Sequence, residues 1–484
     1  MDRTLTTRRQ RVPEPGSPRS RSLALCALVL LTLGLLSCTP PENETSPRSL
    51  SGAAQGYNVL LLSVDTLRAD RLGSYGYDRW ETSPAMDSLL ERGARFAEAQ
   101  APRASTWPSL ATVHTGLFPS KHGLIYNGYS FGDDQVTLST TLQNKGYETA
   151  AFLSNMCKAN HQAWDTFFCS GGVDRRVNRR ASDWLANRAD PDRPFLLWTH
   201  YWGPHSPYYN GGERAQVMNP GYEGELAPKK GVLDRVVIER RELDEADLTH
   251  LDAIYAAAVR GTDDYVAGLL DALEAAGELE QTLIVFVADH GEDLWQHNKY
   301  LYHSCSVYQS SLHVPLGFAA PGLIEPSVIE QPVALVDVLP TILDLLGLEA
   351  PDCQHGASLV PYLEQPEGGL SERPAFSEYG DTRIQTVLHE GWKLVDNPDD
   401  LTPECMLNAP LDLYPIAAAE LYDLASDPSE QTNLASSHPE RVESLRRLLE
   451  TKKAMLCTPG TAKETQLLSE ELKEELRALG YNPE

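Results

Sequence analysis

The sequence of 484 residues predicts an α/β fold: a doubly wound mixed sheet flanked by helices, with a smaller α+β region at the C-terminal end. Two observations support this fold class. The apolar runs at 57–64 and 282–288 show no polar alternation, which is typical of strands buried on both faces of a sheet. Strand and helix signals then alternate along most of the chain, and this alternation favours a sheet wound by crossover helices.

The alternating part ends near Gly347. Strands are predicted at 57–64, 96–101, 148–154, 194–200, 282–288 and 313–318. Helices are predicted at 83–92, 108–115, 137–145, 177–188, 242–276 and 336–346. Residues 203–235, rich in Gly, Pro and Tyr, predict a long irregular loop.

From residue 348 the pattern changes to short segments separated by turns, and strands are predicted within 386–395 and 419–424. Charged amphipathic helices are predicted at 440–455 and 469–479. We therefore expect a main domain over 56–347 and a C-terminal α+β subdomain over 348–484.

The first 37 residues predict an export signal that is not part of the fold. Several arginines precede an apolar run, Leu23 to Leu36, that is short for a membrane span. The run ends in Leu-Leu-Ser-Cys, which resembles the bacterial lipoprotein processing box and predicts lipid on Cys38; an ordinary anchor with a chance cysteine is the alternative. Residues 38–55 predict a flexible tether. We expect an exported lipoprotein held on the membrane, at the periplasmic face of the envelope or the cell surface.

The charge of the chain bears on the kind of partner it can bind, and its cysteines bear on the compartment in which it folds. The chain has 68 acidic and 41 basic residues, a net charge of −27, which argues against nucleic-acid binding. Six cysteines follow Cys38, and an exported protein can oxidise them. Cys157 and Cys169 are close enough in sequence to form a loop bridge, and Cys405 could pair with Cys457, although sequence alone does not fix connectivity.

Polar residues follow two of the predicted strands. Asp65 comes after the first strand, and Asp289 and His290 come after strand 282–288. In such sheets ligands bind beyond the carboxyl ends of the strands, so these residues predict a metal site. Carboxylates with one imidazole suit Ca²⁺ or Mg²⁺, or Zn²⁺ or Mn²⁺ if oxygen ligands do not dominate. Thr106 precedes a predicted helix, where a hydroxyl facing a metal is an activated nucleophile.

From about Tyr57 to its end, the chain resembles the sulfatases of the alkaline phosphatase superfamily. The motifs that carry the resemblance occur in the family's order, at 64–70, 106–109, 115–123, 198–208, 289–292, 314–316, 420–424, 427–428 and 433–434. The resemblance implies a sulfatase-like fold with a catalytic domain over 56–347. It also implies one divalent metal on Asp65, Asp289 and His290, with calcium favoured and zinc or manganese as alternatives.

The resemblance further implies roles around this metal. His205 would contact the ester oxygens or act as general acid, and His303 would lie near the leaving group. Asn127 would contact the substrate oxyanion, and His122 and His200 would bind substrate. A structural role in the surrounding loop is the alternative for His200 and for His303.

The nucleophile segment departs from the family pattern. Sulfatases carry Cys or Ser, then any residue, Pro, any residue and Arg, and the Cys or Ser is oxidised to formylglycine. Here Thr106 stands at the oxidised position and Leu110 replaces the arginine. Oxidising Thr would give a ketone, so formylglycine is not expected, and Thr106 is predicted to attack directly.

Three functions remain open at this stage. The first is a hydrolase of sulfate esters, or of related phosphate or phosphonate esters, acting on a small molecule or a glycan. A sulfated Thr would hydrolyse slowly, which favours phosphorus esters, whereas the family resemblance favours sulfate. The alternatives are a transferase that moves a phospho-group at the envelope, and a non-catalytic protein that binds an anionic glycan. Retention of Asp65, Asp289, His290 and His205 favours an active enzyme.

Overall fold

The fold is organised around one mixed sheet. The structure is a computed structural model that describes residues 49–127, 135–157, 163–297, 301–304, 306–379, 383–401 and 415–457. Its strands are β1 Asn58–Val64, β2 Ala94–Gln100, β3 Glu148–Leu153, β4 Thr166–Cys169, β5 Phe195–Tyr201, β6 Thr282–Ala288, β7 Asp293–Leu294, β8 Leu301–Tyr302, β9 His313–Ala319, β10 Ser327–Ile329, β11 Val333–Ala334, β12 Ala375–Tyr379, β13 Ile384–His389, β14 Trp392–Asp396 and β15 Ala419–Asp423.

The helices lie between these strands and at the end of the described chain. They are α1 Pro84–Glu91, α2 Thr106–Thr115, α3 Pro119–His122, α4 Leu138–Asn144, α5 Asp174–Ala186, α6 Arg214–Met218, α7 Lys230–Ile238, α8 Glu245–Ala275, α9 Gln309–Leu312, α10 Val338–Leu345, α11 Val360–Glu364 and α12 Pro439–Met455. Among the residues described, no helix combines the length and the apolar character needed to cross a membrane.

The large sheet has nine strands in the described chain, in the order β10-β2-β9-β6-β1-β5-β3-β4, with β11 also beside β2. The five strands from β6 to β4 run parallel, and β9 is antiparallel to both of its neighbours. Every side chain of β1, β5 and β6 is buried, as the continuous apolar runs predict for β1 and β6. The predicted doubly wound mixed α/β sheet is confirmed, and its parallel strands end at one common edge.

The predicted loop over 203–235 is wrong in part. It contains α6, and α7 begins within it at Lys230. In α7 the buried residues Leu233, Val236 and Val237 follow helical spacing, so the signal was present but was masked by the surrounding Gly and Pro. The strand β4 was also missed, because it is only four half-buried residues long at the sheet edge.

The C-terminal region forms a second, antiparallel sheet in the order β12-β13-β14-β15. Helix α12 packs on it through an apolar cluster of Val387, Leu394, Leu421, Val442, Leu445 and Leu449. This confirms the predicted α+β character. The predicted helix at 469–479 lies outside the described residues, as do Cys38 and the whole predicted export signal.

Ordered structure begins before the predicted start of the main domain at residue 56. The N–H groups of Gly52 and Ala54 donate to the carbonyls of Asp344 and Leu345, at 2.8 and 2.9 Å. Ala54 is fully buried. The described end of the predicted tether, residues 49–55, is therefore held against the end of α10.

Two disulfides lie within the described residues. The predicted Cys157–Cys169 bridge is present. The suggested pairing of Cys457 with Cys405 is wrong, because Cys457 is bonded to Cys353. The two partners are 104 residues apart in sequence, and only the fold brings the segment after α10 beside the end of α12. Cys405 itself lies outside the described residues.

Candidate active site

Four adjacent parallel strands deliver polar residues to one edge of the sheet. Asp65 follows β1, and Asp289 and His290 follow β6. His200 lies near the end of β5, and Asn155 follows β3. Since β6, β1, β5 and β3 are neighbours in that order, the carboxyl ends of the strands bring these side chains together.

Asp65, Asp289 and His290 form a buried cluster that fits a cation. Their potential ligand atoms all lie within 4.8 Å of one another. His290 Nε2 is 3.7 Å from Asp65 Oδ1 and 3.5 Å from Asp289 Oδ2. Both of these oxygens are buried and accept no hydrogen bond from any residue that the structure describes. Because buried carboxylate oxygens are normally satisfied, this pair points to a missing positive ligand.

The tautomer of His290 agrees with a ligand role. Its Nδ1 lies 2.8 Å from the carbonyl of Gly291, which can only accept, so Nδ1 carries the proton and donates. Nε2 is then left with its lone pair among the carboxylate oxygens. Metal-ligating histidines are commonly fixed in this way by a hydrogen bond from the other ring nitrogen.

The pKa values of the cluster also indicate a cation site. Burial, and then the charge of Asp65, raise the pKa of Asp289 to about 7. Burial also raises the pKa of Asp65 well above its ordinary value. Burial lowers the pKa of His290 to about 3, which keeps the imidazole neutral and able to ligate. Two buried carboxylates this close are stabilised when a cation lies between them.

Thr106 opens α2 and faces this cluster. The helix starts at Thr106, two residues before the predicted start at Pro108, because Pro is tolerated within the first turn. Thr106 is fully buried, and its Oγ1 is 3.4 Å from His290 Nε2. The predicted approach of Thr106 to the metal-site residues is therefore present in the structure.

Asn127 caps the helix that carries Thr106. Its Oδ1 accepts from the backbone N–H of Trp107 at 2.8 Å and from Ser105 Oγ at 3.3 Å. The first-turn N–H groups of a helix have no intrahelical acceptor, so this contact fixes the start of α2. Within the described part of the chain, the Asn127 Nδ2 is buried and has no hydrogen-bond partner, so it remains able to donate to a substrate oxygen.

His122 is held against the same helix. Its Nε2 lies 3.2 Å from the carbonyl of Pro108, to which it donates, and its Nδ1 accepts from the N–H of Leu124 at 3.1 Å. Both ring nitrogens are thus engaged within the protein, which gives His122 a part in supporting α2. Its predicted contact with substrate stays a prediction.

His200 and Asn155 contact the other oxygen of Asp65. Asn155 Nδ2 donates to Asp65 Oδ2 at 2.7 Å, and His200 Nε2 lies 3.7 Å from the same oxygen. The His200 Nδ1 is 2.9 Å from Ser63 Oγ. The sequence did not point to Asn155, although it follows a predicted strand just as Asp65 does.

His205 and His303 lie beside His290. The ring centroid of His303 is 4.4 Å from that of His290 and 5.0 Å from that of His205. His205 Nδ1 donates to the carbonyl of Ser206 at 2.6 Å, and His303 Nδ1 lies 2.7 Å from Glu292 Oε2. The structure therefore gathers these predicted site histidines around the cluster, and it adds Glu292, for which no role was predicted.

Comparison with known proteins identifies the family. The family model described as Sulfatase matches residues 57–348. The chain belongs to the sulfatase family. It is thereby a sulfuric ester hydrolase by family, as its motifs predict.

The relatives match over nearly their whole length. Arylsulfatase K of Gallus gallus is 25% identical, over 87% of this chain and 85% of that protein. The N-acetylglucosamine-6-O-sulfatase of Bacteroides thetaiotaomicron is 24% identical, over 91% and 92%.

Two solved structures share the fold. A protein in complex with its substrate D-Glucosamine-2-N, 6-O-disulfate matches with a TM-score of 0.66 and 22% identity, over 83% of this chain and 98% of that one. The phosphonate monoester hydrolase of Agrobacterium radiobacter matches with a TM-score of 0.64 and 21% identity, over 82% and 95%.

Proposed function

We propose that this protein is a metal-dependent hydrolase of sulfate esters or of related phosphate and phosphonate esters, with Thr106 Oγ1 as the nucleophile. One observation carries the proposal. Thr106 Oγ1 lies 3.4 Å from His290 Nε2, at the start of a buried helix and beside two carboxylate oxygens that have no partner. The site therefore combines a hydroxyl, a helix N-terminus and a cation-binding cluster. This combination suits attack by the hydroxyl on a tetrahedral anionic ester.

Asp65, Asp289 and His290 would hold one divalent cation. Two carboxylates and one imidazole favour calcium, with zinc or manganese as alternatives. When bound, such a cation stabilises negative charge on the ester oxygens and favours ionisation of a nearby hydroxyl. The role of the chain is to fix the three ligands in a buried site and to hold Thr106 against them.

The remaining residues bind the ester and move protons. Asn127 Nδ2 is a donor for a non-bridging oxygen of the ester. Thr106 Oγ1 forms a bond to sulfur or phosphorus while the bond from that atom to the leaving oxygen breaks. The Thr106 proton passes to His205 and from His205 to the leaving oxygen, so His205 ends the step as it began. His200 supports Asp65, 3.7 Å away.

The nature of the nucleophile bears on the substrate. A sulfate ester of Thr has no second hydroxyl with which to expel sulfate, so its hydrolysis is slow, whereas water can attack a phosphorylated or phosphonylated Thr. The similarity to a phosphonate monoester hydrolase shows that this fold also serves phosphorus esters. One protein of this fold binds D-Glucosamine-2-N, 6-O-disulfate as its substrate, and one relative is an N-acetylglucosamine-6-O-sulfatase; both support an ester of a sugar as the substrate here.

The test is turnover of an aryl sulfate, an aryl phosphodiester and an aryl phosphonate by purified protein with Ca²⁺, Mn²⁺ or Zn²⁺. We expect turnover of at least one substrate, its loss in chelator, and its loss in Thr106→Ala. Ser105→Ala is the matched control, because it removes the adjacent hydroxyl and should retain most of the activity. Turnover that survives Thr106→Ala would falsify the nucleophile assignment, and metal binding without any turnover would favour the glycan-binding alternative.

The predicted lipid anchor is a separate proposal. The Leu-Leu-Ser-Cys sequence ending at Cys38 supports it. Expressed with its leader in a bacterium that processes lipoproteins, the full chain is expected in the membrane fraction, and Cys38→Ser is expected in the soluble exported fraction. An unchanged membrane association of Cys38→Ser would contradict lipid attachment at this residue.

A further inference from the structure

A buried chain of three side chains ends at His303. Tyr208 donates its hydroxyl proton to Glu292 Oε1 at 2.8 Å, and Glu292 Oε2 lies 2.7 Å from His303 Nδ1. Tyr208 and Glu292 are fully buried, and His303 is 1% exposed. Both oxygens of Glu292 are therefore used inside the protein. Neither Glu292 nor Tyr208 is part of the metal cluster or of the groups assigned above to the ester.

The other ring nitrogen of His303 is not used by the protein. Its Nε2 is buried and has no hydrogen-bond partner among the residues described. The ring lies between the rings of His290 and His205, at centroid distances of 4.4 and 5.0 Å. With Nδ1 committed to Glu292, Nε2 is the one ring nitrogen that can reach water or substrate, and its direction is set by the contact with Glu292.

Near these three side chains, the backbone of two bulky residues adopts the left-handed conformation, which such residues rarely take. Tyr208 has a φ of 68° and Tyr302, which precedes His303, has a φ of 97°. Left-handed backbone at bulky residues persists where the surroundings enforce it, and it clusters at functional sites. The hydroxyl of Tyr302 donates to Asp234 Oδ1 at 2.8 Å, which helps to hold the turn before His303.

We propose that Glu292 and Tyr208 are positioning residues for His303, and that His303 Nε2 accepts the proton of the water that frees Thr106 from its covalent ester. The inference rests on the proposed function. In this step the water oxygen bonds to the phosphorus or sulfur atom, the bond from that atom to Thr106 Oγ1 breaks, and one water proton moves to Nε2. That proton then passes from Nε2 to Thr106 Oγ1, so the step needs no further reactant.

The experiment is rapid-mixing kinetics of the metal-loaded enzyme on its best aryl substrate, with intact-protein mass measurement. In Glu292→Gln and in His303→Ala we expect kcat to fall about 10²–10³-fold, as is typical when one acid–base group is lost. The first turnover should stay fast, giving a burst of one leaving group per site and an adduct on Thr106. The double variant should be no slower than His303→Ala, since both changes act on one group.

Tyr208→Phe tests the outer end of the chain, with a kcat loss of about 10-fold expected from the loss of one hydrogen bond. Its matched control is Tyr201→Phe, which also removes the hydroxyl of a fully buried tyrosine but one that bonds to Asn178. This control should keep wild-type kcat.

The failure of this inference and that of the proposed function give different results. If Thr106→Ala still turns over substrate, both are overturned. If Thr106 is required but Glu292→Gln and His303→Ala keep wild-type kcat, only the inference is overturned. A loss of the burst in step with kcat would also overturn it, because the first step would then be the one affected.

Discussion

Buried charges are arranged in opposite ways at the sheet edge and in the C-terminal region. At the sheet edge, Asp65 Oδ1 and Asp289 Oδ2 are buried and have no hydrogen-bond partner in the described ranges. In the C-terminal region, Lys393 pairs with Glu430 at 2.6 Å, and Lys452 of α12 pairs with Glu378 at 2.8 Å. The side chains of both pairs are at most 2% exposed, and each charge has its counter-charge.

The difference separates charges that await a ligand from charges that hold the fold. Glu378 also accepts from the backbone N–H and the hydroxyl of Ser120, both at 2.9 Å. It therefore joins α12 to α3, the helix that follows α2. We expect substitutions at the sheet edge to remove activity with little cost in stability, and substitutions of the ion pairs to do the reverse.

Asp289→Asn should have the largest effect on activity. It removes one ligand charge but keeps an oxygen for the N–H groups of Thr66 and His290, which now donate to Asp289 Oδ1 at 3.1 and 2.8 Å. We expect activity to fall by at least about 10³-fold, as for loss of a strong electrostatic group. Burial and Asp65 raise the pKa of Asp289, so ionised Asp289 destabilises the metal-free fold. The melting temperature of Asp289→Asn in chelator at pH 8 should therefore be higher than that of wild type. A lower value would contradict the view that the charges at the sheet edge await a ligand.

Lys452→Met should have the largest effect on stability. It leaves Glu378 buried without its counter-charge, which typically costs about 3–5 kcal/mol in the free energy of unfolding. Urea unfolding measures this cost, and Lys452→Met combined with Glu378→Gln should recover part of it. Metal affinity should be unchanged, since neither residue touches the cluster at the sheet edge.

The cost of Lys452→Met should depend on pH. Burial alone would raise the pKa of Glu378, but the Lys452 ammonium and the Ser120 donors hold it below its ordinary value. A lowered folded pKa stabilises the protein above the unfolded value, near pH 4.3, and this stabilisation is lost as the pH falls through the folded value. The stability gap between wild type and Lys452→Met should therefore narrow below about pH 4. An unchanged gap would mean that the pair contributes little.

Removal of the two disulfides should have the smallest effects. The two removals should also differ, because one bridge lies in the C-terminal region and the other lies near the sheet edge. Replacing Cys353 and Cys457 by Ser should cost about 2–4 kcal/mol in unfolding free energy and leave the kcat of folded protein unchanged. Replacing Cys157 and Cys169 should cost less stability, because the bridge spans 12 residues instead of 104. It should nevertheless weaken metal binding, since Cys157 lies two residues after Asn155, which donates to Asp65.

Sequence reasoning located the parts of the site that follow from strand order. The apolar runs of β1 and β6 predicted two buried parallel strands, and the residues after them, Asp65, Asp289 and His290, do meet. What it missed depends on tertiary contacts. Asn155 follows β3, and it reaches Asp65 only because the sheet order places β3 one strand away from β1, on the other side of β5. Glu292 reaches His303 across a hairpin, β7-β8, that is not among the predicted strands.

Helix α2 is buried along its whole length, from Thr106 to Thr115, and Asn127 closes its first turn from outside. Thr106, the proposed nucleophile, thus stands at the start of a buried helix that is also held by Asn127. One residue can be exchanged there while its surroundings stay in place. A change of the residue at position 106 would therefore change the chemistry offered at the sheet edge without requiring a new fold.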